Sequence, residues 1–133
     1  MHDYEQDPAT FASHYDTLGA SNTFDFLTAF SKEQIPYNNK KPFFISEYGG
    51  IGWSVDSNAW GYGNTPASPE EFLQRLKGLT DVLLDNDKMF GFCYTQLTDV
   101  EIEQNGLYTY DRQPKFSPEK IHPILSRKAA IEK

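Results

Sequence analysis

One cysteine, Cys93, is all the thiol chemistry in these 133 residues. That excludes an internal disulfide and any cysteine-based zinc site. Basic residues are also scarce. Twelve Lys and Arg stand against nineteen Asp and Glu, for a net charge of −7 and a pI near 4.8. Nucleic-acid binding needs a basic face, so that partner class is disfavoured, as is an anionic membrane surface. No apolar run approaches the roughly 20 residues of a membrane-spanning helix. The start, Met1-His2-Asp3-Tyr4-Glu5, lacks the basic n-region and apolar core of a signal peptide. There is no Gly-rich phosphate loop, no nucleophile elbow and no His-x-x-x-His pair, which leaves a Ser–His–Asp hydrolase and a metal site unsupported. No cofactor is implied. A cytoplasmic location is favoured, although a piece of a longer secreted chain, with its signal elsewhere, fits equally well.

What the chain has in quantity is aromatic side chains: ten Phe, eight Tyr and two Trp, 15% of all residues. With 38% hydrophobic residues, this argues for one folded domain with a real core.

Asp7-Pro8 is an N-cap with proline at the first helical position, predicting a short helix to about Tyr15. Residues 19–22 read as a loop. Phe24, Leu27 and Phe30 recur at helical spacing, predicting a second short helix or turn over 24–34, ended by Pro36. Residues 38–41 read as a solvated connection. Phe43–Ser46 is continuously apolar, as in a strand covered on both faces. A long loop, 49–67, follows. Ser68-Pro69-Glu70-Glu71 starts a helix with a capping box, and Phe72, Leu73, Leu76, Leu79, Val82 and Leu83 give it one apolar face. Met89–Leu97 reads as a second strand, buried at Phe90, Gly91, Phe92 and Cys93. A polar loop over 98–116 and a helix over 118–131, capped by Ser117-Pro118-Glu119 and strained by Pro123, complete the chain. Strands alternating with helices imply βαβ units with a parallel sheet. Two strands make a poor sheet and a full (β/α)₈ barrel takes about 250 residues, so the expectation is a partial barrel.

The chemistry-bearing residue that stands out is Glu47, where the apolar strand Pro42–Ser46 ends. Barrel enzymes keep their chemistry at the C-terminal ends of strands. Glu47 there can be a nucleophile, a general acid, a metal ligand or a salt-bridge partner. Trp53, Trp60, Tyr62 and Tyr94, beside Gln96, Asn105 and several carboxylates, are the mixture that packs on sugar rings and bonds their hydroxyls. They serve equally well as packing under a long loop. His2 has no partner at metal-ligand spacing. His14 and His122 read as surface residues. Asp99, Glu101 and Glu103 read as a solvated acidic loop, with a second carboxylate for Glu47 as the alternative, and Cys93 as an inert residue within a strand.

Taken together, these motifs resemble the C-terminal part of the catalytic TIM barrel of glycoside hydrolase family 2, in the β-galactosidase and β-glucuronidase group. The resemblance is carried by residues 2–8 (His-Asp-Tyr-Glu-Gln-Asp-Pro) and 44–50 (Phe-Ile-Ser-Glu-Tyr-Gly-Gly), then by residues 91–100 (Gly-Phe-Cys-Tyr-Thr-Gln-Leu-Thr-Asp-Val) and 104–112 (Gln-Asn-Gly-Leu-Tyr-Thr-Tyr-Asp-Arg). It implies that residues 1–133 form a single partial domain holding about strands 7 and 8 with flanking helices. It further implies that Glu47 is the nucleophile of a retaining glycosidase acting on a β-glycoside. His2, Tyr48, Trp53, Trp60, Tyr94 and Gln96 would then bind the sugar. The acid/base glutamate of that family follows an Asn at the end of the fourth strand, a part with no counterpart in this sequence. The implied state is a fragment inactive by itself, prone to self-association or to docking on the remainder of a barrel. The alternative is a non-catalytic carbohydrate-binding or assembly module.

Overall fold

In a computed structural model, residues 1–20, 23–27, 32–36 and 41–133 are described. The elements are β1 (His2–Asp3), α1 (Pro8–Ser13), β2 (Thr23–Leu27), β3 (Lys32–Pro36), β4 (Phe43–Gly49), α2 (Pro69–Asp85), β5 (Met89–Thr95) and α3 (Pro118–Leu125). A 3₁₀ turn over Ala130–Glu132 ends the chain. β1, β4 and β5 form a parallel sheet in that order, and β2 pairs antiparallel with β3. The class is α/β, and β4–α2–β5 is the βαβ unit expected from the alternation.

Local chemistry sets the helix starts. Asp7 accepts from the Thr10 N–H at 2.8 Å and caps α1. Ser68 accepts from the Glu71 N–H at 3.2 Å and caps α2. Glu71 reaches back not to Ser68 but to the Ala67 N–H at 2.7 Å, and it also pairs with Arg75 at 2.9 Å. One face of α2 is buried at Phe72, Leu76, Leu79, Thr80, Leu83 and Leu84. It packs with Phe11 and Tyr15 beside α1 and with Phe43, Ile45, Tyr48 and Met89 of the sheet.

Several expectations need correction. Of the helix or turn expected over 24–34, residues 24–27 and 32–34 lie instead in a β2–β3 pairing, Thr23 opposite Pro36 through Leu27 opposite Lys32, and residues 28–31 lie outside the described residues. Phe24-Asp25-Phe26 alternates apolar and polar, the period of a strand, and that pattern prevails over the 3-residue spacing of Phe24, Leu27 and Phe30. The expected loop at 21–22 and connection at 38–40 lie outside the described residues. The last helix takes no side-chain cap from Ser117, whose hydroxyl turns to the Glu119 carboxylate, and it stops at Leu125, not 131. Pro123 withholds an N–H inside it, and Ser126, its C-cap, returns its own N–H and hydroxyl to the His122 carbonyl.

The second strand is not buried as expected. Phe43 pairs with Met89 but Phe44 pairs with Gly91, so Phe90 is an extra residue bulged from β5. Phe90 is 65% exposed. Cys93 is exposed as well. Gly91 packs under Phe44, itself partly exposed, on the face of the sheet away from the helices.

Candidate functional site around Glu47

A second irregularity aims Glu47. Ile45 pairs with Phe92 and Tyr48 with Tyr94, so three steps on β4 match two on β5. A regular strand would turn Ile45 and Glu47 to one face. The extra residue breaks that phase. Ile45 and Tyr48 both enter the core at 0% exposure, and Ser46 and Glu47 lie between them on the open side. The Met1 carbonyl accepts both the Ser46 N–H at 2.8 Å and the Glu47 N–H at 3.3 Å, which holds the bulge.

β1 then brings its side chains to Glu47. The register sets His2 opposite Glu47 and Asp3 opposite Tyr48. His2 Nδ1 lies 3.5 Å from Glu47 Oε2. The Tyr4 hydroxyl donates to the same oxygen in a very short hydrogen bond. The Glu47 side chain is 37% exposed, so it is reachable by a ligand. Burial, and then the hydrogen bond to Glu47, push the Tyr4 phenol well above its ordinary value of 10.0. Tyr4 therefore stays a neutral donor.

An aromatic wall continues from this cluster. Tyr4 stacks on Tyr62 at 3.6 Å with the rings parallel to 1°, and Tyr62 meets Trp60 edge-on at 5.5 Å. Gly50 (φ +62°) makes room for this, since a Cβ there would overlap the Tyr62 ring. His2 and Tyr4 also line a cavity of about 1060 Å³ that runs past Gln6, Tyr62, Asn64 and Arg75. Glu47 itself is not in that lining, so the cavity adjoins the carboxylate rather than enclosing it.

The other expected site residues divide. Trp60 is 43% exposed on the wall. Trp53 turns inward, its ring against Phe116 at 5.5 Å and Phe72 at 6.1 Å. Tyr48 faces the helices and not the Glu47 side. Its hydroxyl donates to Thr80 Oγ1 at 2.7 Å, and Thr80 Oγ1 donates to the Leu76 carbonyl at 2.7 Å. Burial pushes the Tyr48 phenol up. Tyr94 packs edge-on against Tyr48 at 5.7 Å and donates to the Asn105 carbonyl at 3.2 Å. Gln96 Nε2 reaches the Glu103 carbonyl at 3.5 Å. Of the expected set, then, the structure joins His2 to Glu47 directly and Trp60 through Tyr62 and Tyr4.

Tyr62, expected in the aromatic set beside Trp60, and Tyr4, expected only within the stretch 2–8, complete the cluster. Tyr4 stands two residues after His2, the spacing that puts both on one side of a strand. His14 is not a surface residue: it is 8% exposed, with Nδ1 2.7 Å from Asp3 Oδ2. Asp99 is not solvated either. It is 6% exposed, and its Oδ1 accepts from Lys115 Nζ at 2.5 Å and from the Gly106 N–H at 2.9 Å. Lys115 Nζ also donates to the Trp53 carbonyl at 2.8 Å and the Gln104 carbonyl at 3.4 Å. Desolvation lowers the Lys115 pKa, opposed by Asp99.

Among the described residues no cluster of three His, Cys, Asp or Glu side chains could hold a metal ion. None of the helices among the described residues is long and apolar enough to cross a membrane. The chain matches no protein-family model, and no curated protein sequence matches it.

Proposed function

We propose that the chain is the C-terminal part of a partial (β/α)₈ barrel from a retaining glycosidase, with Glu47 as its nucleophile. The observation that carries the reading is the convergence of His2 and Tyr4 on Glu47 Oε2 at the C-terminal ends of adjacent parallel strands. A nucleophilic carboxylate must stay ionised and keep one lone pair aimed at its target. Tyr4 serves this by donating to Oε2 as a neutral phenol, which leaves Oε1 for attack.

In the first step a Glu47 oxygen bonds to the anomeric carbon as the glycosidic C–O bond breaks. The leaving oxygen takes a proton from a second carboxyl group, and that group then activates water to release the sugar. The two carboxyl groups of such a pair stand about 5–5.5 Å apart. Among the described residues the groups bonded to Glu47 are His2 and Tyr4. Asp3 faces the other way, and Glu103 accepts from Asn105 Nδ2 at 3.1 Å. On this reading the acid is supplied from outside the described residues, and the isolated chain is inactive. Among the described residues β1 and β5 are the edges of the β1–β4–β5 sheet, which leaves both free to pair with further strands, as this reading requires.

The test has two arms. Nitrophenyl β-glycosides incubated with the isolated chain should give no turnover; turnover abolished by Glu47→Gln would overturn the incomplete-site reading. Calorimetric titration with a cationic iminosugar, whose nitrogen replaces the anomeric centre, should show binding that Glu47→Gln removes. No heat, or heat indifferent to Glu47→Gln, would overturn the nucleophile assignment.

A further inference from the structure

Asp3 lies in sequence between the two residues that touch Glu47, yet its own side chain goes the other way. Strand alternation sends His2 and Tyr4 to the Glu47 face and Asp3 to the helix face, opposite the buried Tyr48. There Asp3 is 2% exposed. Its Oδ2 lies 2.7 Å from His14 Nδ1 and accepts from the Tyr15 hydroxyl at 2.8 Å. Its Oδ1 accepts from the Glu5 N–H at 3.2 Å. Burial and the Asp3 charge together push the Tyr15 phenol upward, so Tyr15 remains a donor.

β1 itself holds little. It is two residues long and pairs with β4 at two positions. The Met1 carbonyl, bonded to the Ser46 and Glu47 N–H groups, and Gln6 Nε2, bonded to the Gly49 carbonyl at 2.6 Å, tie the flanking residues to β4, while the tie to α1 runs through Asp3. His14 and Tyr15 sit at the end of α1, and Tyr15 is anchored in the core against Phe11 at 5.2 Å and Phe43 at 6.5 Å.

We propose that Asp3 is the positioning residue of the Glu47 cluster: its buried carboxylate ties β1 to the end of α1 and so holds His2 and Tyr4 over Glu47. The functional meaning of this rests on the glycosidase reading, but the geometry does not. Asn is the informative replacement. It keeps the shape, but its amide nitrogen must replace an oxygen that accepts from the Tyr15 hydroxyl or the Glu5 N–H.

The experiment reads the coupling between Tyr4, His2 and Glu47 by NMR on the intact chain. The ring resonances of Tyr4 and His2 are recorded with and without Glu47→Gln, in the wild-type, Asp3→Asn and Tyr15→Phe backgrounds. In the wild type, Glu47→Gln should displace both sets of signals. In Asp3→Asn more than half of that displacement should be lost, as in a double-mutant cycle between coupled groups. The upfield ring-current shift of the stacked Tyr4–Tyr62 pair should diminish with it. Signals of the distant Phe72–Phe116 stack, at 4.0 Å, report that the core is intact. Tyr15→Phe removes one hydrogen bond while its ring keeps the contacts with Phe11 and Phe43. It should cause a smaller loss of coupling, and it carries the test if Asp3→Asn does not fold. A response to Glu47→Gln that is unchanged in both backgrounds would show Asp3 to be a buried polar group of stability alone, and overturn the proposal. No sugar enters this measurement. Failed iminosugar binding would therefore sink the glycosidase reading and leave the coupling standing, and the reverse failure is equally separable.

Discussion

Replacing Lys115 by Met tests whether the loops around the aromatic wall are held by one buried ion pair. The Lys115 and Asp99 side chains are 8% and 7% exposed, and Nζ joins Asp99 to the carbonyls of Trp53 and Gln104. Met keeps the apolar stem of the side chain and deletes the charge. Three acceptors then lose their donor, and Asp99 retains the Gly106 N–H. Breaking a buried pair from one side costs about 3–5 kcal/mol, because the remaining charge stays desolvated. The surviving Gly106 bond argues for the low end, about 3 kcal/mol. Against a domain stability of about 5–15 kcal/mol this is a large share. At roughly 3–4 °C per kcal/mol for a chain of this size, the midpoint should fall by about 10 °C. Urea unfolding followed by circular dichroism gives the free energy, and Trp53 fluorescence reports the loop. The double variant Lys115→Met/Asp99→Asn should be more stable than Lys115→Met, since it removes the orphaned charge. The reasoning is refuted by a loss under about 1 kcal/mol, or by a double variant less stable than the single one.

Other outcomes follow from the same structure. Thr80→Val leaves the buried Tyr48 hydroxyl without its acceptor, a cost of about 1–3 kcal/mol, and adding Tyr48→Phe should return most of it; chemical denaturation of both variants checks this. Asp7 is held below its ordinary value of 3.8 chiefly by the Thr10 N–H. The folded form therefore binds its proton less readily than the unfolded chain, so its stabilising contribution is present above pH 3.8 and is lost as pH falls below it. Asp7→Ala should lower the midpoint at neutral pH and flatten the decline of stability below pH 3.8, as read from thermal melts across an acid series.

Much of the frame was legible because it is local. Asp7 and Ser68 cap helices where the sequence says they should, since a cap needs only a side-chain oxygen and an N–H three residues on. The α2 face is legible because Phe72, Leu76, Leu79 and Leu83 repeat at the helical period. Glu47 near the end of β4 was equally plain, although the strand runs two residues past it to Gly49. The β2–β3 pairing was misread because Phe24, Leu27 and Phe30 fit a helical period by coincidence of spacing. His14 and Asp99 were misread as solvated because their partners, Asp3 and Lys115, stand 11 and 16 residues away.

By itself the sequence determined the α/β class, the helix starts and the choice of Glu47 as the residue to follow, all of which depend on interactions within a few positions. Tertiary structure alone decided which way Glu47 points and what meets it. The extra residue in β4 turns it out of the core, and the parallel register of β1 sets His2 and Tyr4 against it. Neither is written in any short segment, because strand register is a property of two strands together, and a one-residue slip would send every side chain to the other face.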